Sequence, residues 1–196
     1  MRPRLVVMVK EPLAGRVKTR LGREIGMTTA AYWFRHQVAA LLRRLDDPRW
    51  ELVVAVSPDH AGLSSRIWPA HLPRIAQGRG NLGARMKRQM LARRAPVLII
   101  GADIPGINCQ SVAHAFGLLA RHDFVFGPAP DGGYWAVGAH RLGRPLPPQL
   151  FEGVRWSTQF ALADTLASLG GASYALAANL DDIDTLDDLK RHQAAR

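Results

Sequence analysis

The chain has 196 residues, 47% hydrophobic and 21% charged, and a net charge of +10. This length predicts one domain over residues 1–196 with a single sizeable core, and the composition excludes collagen-like, low-complexity and wholly disordered chains. The basic residues form no long block, and no recognition helix, zinc finger or aromatic RNA platform is recognisable, so the charge points to a small anionic substrate rather than to nucleic acid.

Leu5–Val9 is a continuous apolar, β-branched run, which predicts a strand buried on both faces. Lys10 and Glu11 follow it too closely for a secretory signal, and no apolar run approaches the roughly 18 residues of a membrane span. A cytoplasmic location is therefore expected. The following loop, Glu11–Arg23, is rich in glycine and basic residues. With Lys10, the side chains of Arg16, Lys18 and Arg20 crowd behind the strand end, and Gly15 permits positive φ or close backbone approach. Such a cluster can neutralise a diphosphate or triphosphate, each charge-assisted hydrogen bond contributing about 1.5–3 kcal/mol. Neither a Walker spacing nor a Rossmann fingerprint is present, and a solvated basic turn is the plainer account of the same residues.

Thr28 or Thr29 can cap a helix running to about Arg44, with Ala31, Phe34, Val38, Leu41 and Leu42 along one side. Leu52–Val56 reads as a second strand and Leu72–Ala76 as a short third. A helix is predicted over Leu82–Arg94, with Leu82, Met86, Met90 and Leu91 apolar. Val97–Ile100 is another buried strand. Asp103 stands directly after it, in Gly101-Ala102-Asp103-Ile104-Pro105. A carboxylate beside a buried sheet is costly unless it meets a cation or hydrogen-bond donors. A divalent cation shared with substrate phosphates is one account of it; a helix cap or Asx turn is the other.

Cys109 is the only cysteine, which excludes an intramolecular disulfide and a cysteine-based zinc site. A helix over Gln110–Arg121 and strands over Phe124–Gly127 and Tyr134–Val137 follow. Between those strands lies Asp131-Gly132-Gly133-Tyr134, where bare backbone before an aromatic ring lets a ligand approach and stack. Asp131 can accept sugar hydroxyls, contact a metal or act as a base; the same Asp-Gly pair is also a hairpin signal. Arg144–Pro148 is a loop, Thr158–Leu169 a helix, Ser173–Leu176 a late strand, and a final helix begins near Thr185. The acids of Asp181–Asp188 suit its N-cap and first turn, and Asp182 or Asp184 can add a second metal carboxylate. Strands alternating with helices predict an α/β three-layer sandwich with a mostly parallel central sheet. Ligands of such sheets bind beyond the carboxyl ends of the strands, here after Lys10, Ile100 and Gly127.

Lys10–Leu21, Gly101–Pro105, Gly127–Gly138, Trp156-Ser157-Thr158 and Asp182–Leu189 occur in the order found in a bacterial transferase family. The chain resembles the selenodomain-associated transferases, also labelled arsenosugar-biosynthesis glycosyltransferases, over nearly its whole length. It is similar, more distantly, to the guanylyltransferases of phospholactate and molybdenum-cofactor synthesis. The resemblance implies a GT-A-like (Rossmann-like) nucleotide-diphospho-sugar transferase fold. It also implies that Lys18 and Arg20 belong to a phosphate-binding loop and that Asp103 holds a divalent metal, for which Asp184 is the expected second carboxylate. Asp131, Gly132, Gly133, Tyr134 and Trp156 would then lie on the acceptor or sugar side. The segment from Gln77 to Gly83 would approach the nucleotide, with Asn81 standing where the family pattern has an acid.

The expected function is a metal-dependent glycosyltransferase moving a sugar from a nucleotide sugar to a small acceptor. Its chemistry would rest on Mg²⁺ or Mn²⁺ at Asp103, on Lys18 and Arg20 sharing the diphosphate charge, and on Asp131 orienting or deprotonating the acceptor. Lys10, Gly15, Arg16, Gln77 and Asn81 would complete the nucleotide site. The alternative is a nucleotidyltransferase that couples a nucleoside triphosphate to a small phosphorylated or carboxylated substrate with release of pyrophosphate. Four basic residues behind one strand favour that alternative. A non-catalytic nucleotide- or nucleic-acid-binding protein is a third.

Overall fold

The computed structural model describes residues 1–194. The chain runs through β1 (Arg4–Lys10), α1 (Thr19–Ile25), α2 (Met27–Leu45), β2 (Glu51–Ser57), α3 (Asp59–Ser64), β3 (Arg74–Ala76) and α4 (Leu82–Leu91). It continues with β4 (Val97–Ile100), α5 (Cys109–Leu119), β5 (Phe124–Pro128), β6 (Tyr134–Ala139), α6 (Ala161–Ala167), β7 (Tyr174–Leu176) and α7 (Leu186–Ala194). The strands form one sheet in the order β3-β2-β1-β4-β6-β5-β7. All neighbours pair in parallel except β6, which runs antiparallel to both β4 and β5. The sheet is thus mostly parallel, as the strand–helix alternation predicts.

Successive side chains of a strand face opposite ways, and the two faces of this sheet are both covered. Leu5, Val7 and Val9 of β1 pack with Phe34, Val38 and Leu41 of α2 and Val112 and Leu119 of α5. Val6, with Ala55 of β2 and Ile99 of β4, packs on the other face with Met86 and Met90 of α4 and Leu162 and Leu166 of α6. Two apolar layers around one sheet make the expected three-layer sandwich. Each fully buried Val, Leu or Ile contributes about 1.5–3 kcal/mol, so β1, whose Leu5, Val6 and Val7 have no exposed surface, is the spine.

The structure corrects several local expectations. Gly26, not Thr28 or Thr29, is the N-cap of α2, and no side chain caps it. The helix α1 begins inside the stretch expected as a loop, and α3 lies where no element is expected; at 7 and 6 residues they are too short for a periodic signal. In α4, Leu82 and Leu91 are 44% and 55% exposed, while Gln89 is buried and donates a hydrogen bond to the Ala76 carbonyl at 3.0 Å. α6 begins at Ala161 because Thr158 forms a turn, its hydroxyl donating to the Arg155 carbonyl at 2.7 Å and accepting from the Phe160 N–H at 3.3 Å. Among the described residues, no helix is long and apolar enough to cross a membrane.

Candidate functional site

The parallel strands β1 and β4 end side by side, and each delivers one charged residue to the same point. The loop after β1 reaches Lys18, which serves as N-cap of α1 in the left-handed conformation (φ 45°, ψ 46°). The loop after β4 delivers Asp103. Lys18 Nζ lies 2.7 Å from Asp103 Oδ2 and 2.5 Å from Asp184 Oδ1, with only 5% of the lysine side chain exposed. Arg20 Nη1 takes the second oxygen of Asp184 at 3.3 Å. Burying an ammonium is costly without a partner, and here two carboxylates supply it. Burial pulls the Lys18 pKa down, but the charges and hydrogen bonds of Asp103 and Asp184 outweigh it, and the net shift is upward.

Asp184 comes from the segment before α7, far from Asp103 in sequence but fastened to it. The Ile183 N–H donates to the Asp103 carbonyl at 3.3 Å, and the Ile183 side chain is buried. With Ile183 turned into the core, the acids on either side of it are left to face Asp103. Asp182, Asp184 and Asp103 each offer an oxygen, all within 4.8 Å of one another. Burial and then the negative charge of Asp184 push the Asp182 carboxyl up to about 6. Asp188 fixes the turn by accepting from the Asp184 and Thr185 N–H groups at 3.1 and 2.8 Å. On the other flank, Arg44 of α2 holds the loop behind Asp103, donating to the carbonyls of Ile107 at 2.7 Å and Pro105 at 3.0 Å.

These donors suit a divalent cation. Three hard carboxylate oxygens converge within a few ångströms, and the Lys18 ammonium already stands in as a cation on two of them.

The cluster opens into a cleft of about 820 Å³, the size of a cofactor or nucleotide site. Of the residues singled out in the sequence, Lys10, Arg16, Lys18, Arg20, Gln77, Asn81, Asp103, Tyr134, Trp156 and Asp184 line it. Two of them are already engaged in holding the fold. The buried Gln77 amide donates to the carbonyls of Val9 and Ala55, both at 2.9 Å, and Asn81 caps α4 by accepting from the Ala84 N–H at 2.9 Å. The Tyr134 hydroxyl faces that of Thr165 at 3.4 Å, and burial raises its pKa.

Gly15, Asp131, Gly132 and Gly133 are not among the lining residues. Gly15 has open space around it and serves the turn through its φ of 73°. At Gly132 (φ 82°) a Cβ would lie 2.1 Å from the Gln159 carbonyl oxygen, so the close backbone approach expected there is made by Gln159. Asp131 accepts from the Gly133 N–H at 2.8 Å, closing the β5–β6 hairpin turn, and its charge still reaches Asp182. Arg85, not anticipated from the sequence, also lines the cleft, as does Ser157 of the Trp156-Ser157-Thr158 motif. Arg85 projects from the first turn of α4, donating to the Gly80 carbonyl at 2.9 Å and to Gln77 Oε1 at 3.5 Å, and nothing in its spacing marks it out.

The profile of a bacterial family described as "Uncharacterized protein conserved in bacteria (DUF2064)" matches residues 40–158. No curated protein matches the sequence. Among solved structures, a protein from Desulfovibrio desulfuricans G20, provisionally described as a nucleotide-diphospho-sugar transferase, superposes with a TM-score of 0.82 and 29% identity, covering 96% of this chain and 84% of its own. A CMP:2-keto-3-deoxy-manno-octonic acid synthetase complexed with CTP gives a TM-score of 0.60 at 10% identity over 100% of this chain and 98% of its own. The glucosyl-3-phosphoglycerate synthase of Mycobacterium tuberculosis, in complex with Mn²⁺, UDP and glucosyl-3-phosphoglycerate, gives 0.54 at 16% identity over 96% of this chain and 74% of its own. The fold is therefore the GT-A-like fold of nucleotide-diphospho-sugar transferases, and the structural neighbours are glycosyl- and nucleotidyltransferases.

Proposed function

The chain belongs to the DUF2064 family of uncharacterized bacterial proteins, and from that premise we propose that it is a metal-dependent glycosyltransferase, moving a sugar from a nucleotide-sugar donor to a small acceptor. The observation that carries this reading is the meeting of Lys18, Asp103 and Asp184 at the floor of an 820 Å³ cleft beyond the carboxyl ends of β1 and β4. The resemblance of the N-terminal loop, the Asp103 loop and the Asp182–Leu189 segment to the selenodomain-associated and arsenosugar transferases points to sugar transfer. A divalent cation, Mg²⁺ or Mn²⁺, held by Asp103, Asp184 and Asp182 would supply charge stabilisation for the departing diphosphate.

The chain's own residues do the rest. Lys18, Arg20 and Arg16 gather the diphosphate by charge-assisted hydrogen bonds, and Lys10 extends that positive wall. Gln77 and Asn81, fixed by their own hydrogen bonds, shape the nucleotide side of the cleft. Tyr134 and Trp156 give the acceptor or sugar an apolar flank. Asp131, whose charge reaches Asp182, orients or deprotonates the acceptor from the adjoining hairpin, with Gly132 and Gly133 holding its turn. Nucleotide donors are cytoplasmic metabolites, and the cytoplasm is where we place the reaction, carried out by residues 1–196 as one domain.

A second reading, nucleotidyl transfer from a nucleoside triphosphate, is favoured by one feature. Lys10 and Arg16 line the cleft without an ion-pair partner among the described residues. They add to Lys18 and Arg20 more positive charge than a diphosphate needs. Incubation with panels of nucleotide sugars and of triphosphates, each with a range of small acceptors, separates the two. Nucleoside diphosphate release supports glycosyl transfer and pyrophosphate release supports nucleotidyl transfer; neither product above background contradicts both.

A further inference from the structure

The acidic cluster is not an empty cage, because a side chain of the protein itself fills it. Resting on the reading of the triad as a metal site, we propose that Lys18 is a displaceable plug. Its ammonium competes for the cation position, and the triad binds a divalent cation more tightly when an anion in the cleft draws the ammonium away. The geometry leaves little room for both. Nζ lies 2.7 and 2.5 Å from one oxygen each of Asp103 and Asp184, and a divalent ion held by these carboxylates at about 2.0–2.6 Å would stand within a few ångströms of the ammonium. Two like charges so close repel one another.

Lys18 is built for such a move. Its backbone is pinned at the start of α1, while its flexible stem carries a compact point charge that can reorient without breaking a planar fork. Its neighbours on the cleft side are cationic: Arg16, Arg20 and Lys10 all line the space into which it would swing. An anion held there gives the ammonium a new partner, so its departure from the carboxylates need not leave it buried and unpaired. Metal and anion then bind with positive coupling, and the coupling is reciprocal. If instead Lys18 were a permanent structural ion pair, phosphate would change metal affinity equally with and without it.

Free Mn²⁺, measured by electron paramagnetic resonance during titration of the full chain, decides between them. Lys18→Met is expected to bind Mn²⁺ roughly tenfold tighter than wild type in the absence of anion. Lys18→Arg, which keeps a cation in place, should stay near wild type. Millimolar inorganic phosphate should raise the wild-type affinity and leave that of Lys18→Met unchanged. Adding Asp103→Asn to Lys18→Met should abolish the tight binding. Equal or weaker Mn²⁺ binding by Lys18→Met, with Asp103 still required, overturns the plug and leaves the metal site standing. No Asp103-dependent Mn²⁺ binding in any variant overturns both. Should Lys18→Met fail to fold, wild type answers alone. The ¹⁵N signal of the Lys18 ammonium should shift when Mg²⁺ and phosphate are added together, and an unshifted signal at Mg²⁺ saturation overturns the proposal.

Discussion

The Ile183 N–H donates to the Asp103 carbonyl at 3.3 Å, so the loop after β4 and the segment before α7 share a backbone hydrogen bond at the centre of the acidic cluster. Ile183 is 2% exposed and stands between Asp182 and Asp184, so one apolar anchor sets the position of two carboxylates. Ile183→Ala is expected to cost about 2–4 kcal/mol of stability in urea denaturation. It should also weaken Mn²⁺ binding under conditions where the variant remains folded. Unchanged Mn²⁺ affinity would show that the acids do not act through this anchor.

Asp103, like Asp184, both holds Lys18 and belongs to the triad. Asp103→Asn keeps the size and removes the charge. It is expected to abolish the divalent-dependent part of nucleoside diphosphate binding in calorimetry, and binding that still responds to EDTA as wild type does would exclude Asp103 as a ligand.

Lys18 and Arg20 both reach Asp184 and line the cleft together. Replacing both with Ala removes two donors, each worth about 1.5–3 kcal/mol in a charge-assisted hydrogen bond. Nucleotide affinity should fall by at least about tenfold, the lower bound allowing for solvent screening at Arg20. A smaller loss would reduce the loop to a surface turn.

Far from the cleft, Asp123 ties the entry of β7 to β5. It accepts from the Ser173 hydroxyl at 2.6 Å and the Ser173 N–H at 2.9 Å, and pairs with Arg144 at 2.6 Å. The Ser173 hydroxyl, chiefly, holds the Asp123 carboxyl below its ordinary value of 3.8. A carboxyl depressed in the folded state stabilises the fold above its unfolded pKa, and that contribution is lost as pH falls through the folded value. The stability lost between about pH 5 and pH 3 should therefore be smaller in Asp123→Asn than in wild type, read from urea midpoints at each pH. Parallel pH profiles would show that Asp123 carries none of the acid sensitivity.

Much of the fold was legible because its signals are regular. The buried runs of β1, β2 and β4 read as strands, and Ala31, Phe34, Val38, Leu41 and Leu42 share the inner side of α2 as their spacing predicts. What escaped was set by tertiary context. α1 stands on a left-handed Lys18, a conformation that nothing in the lysine's neighbours announces. Gln89 is buried in place of Leu91 because its amide satisfies the end of β3. At the site, Asp103 stood out as an acid directly behind an apolar strand. The choice between Asp182 and Asp184 could not be made in sequence, because both face the cluster once Ile183 turns inward. Gly132 drew attention for the right property and the wrong neighbour, since Gln159 fills the space beside it.

The proposed reaction requires a nucleotide's diphosphate to meet a divalent cation at Asp103, Asp182 and Asp184. A crystal grown with Mn²⁺ and UDP, with data collected at the manganese edge, tests it most directly. The expected result is an anomalous peak among those three carboxylates, with the diphosphate reaching from it toward Arg20 and Lys18 Nζ moved off Asp103. An anomalous peak elsewhere, or a diphosphate bound away from β1 and β4 with Lys18 still on both acids, would contradict it.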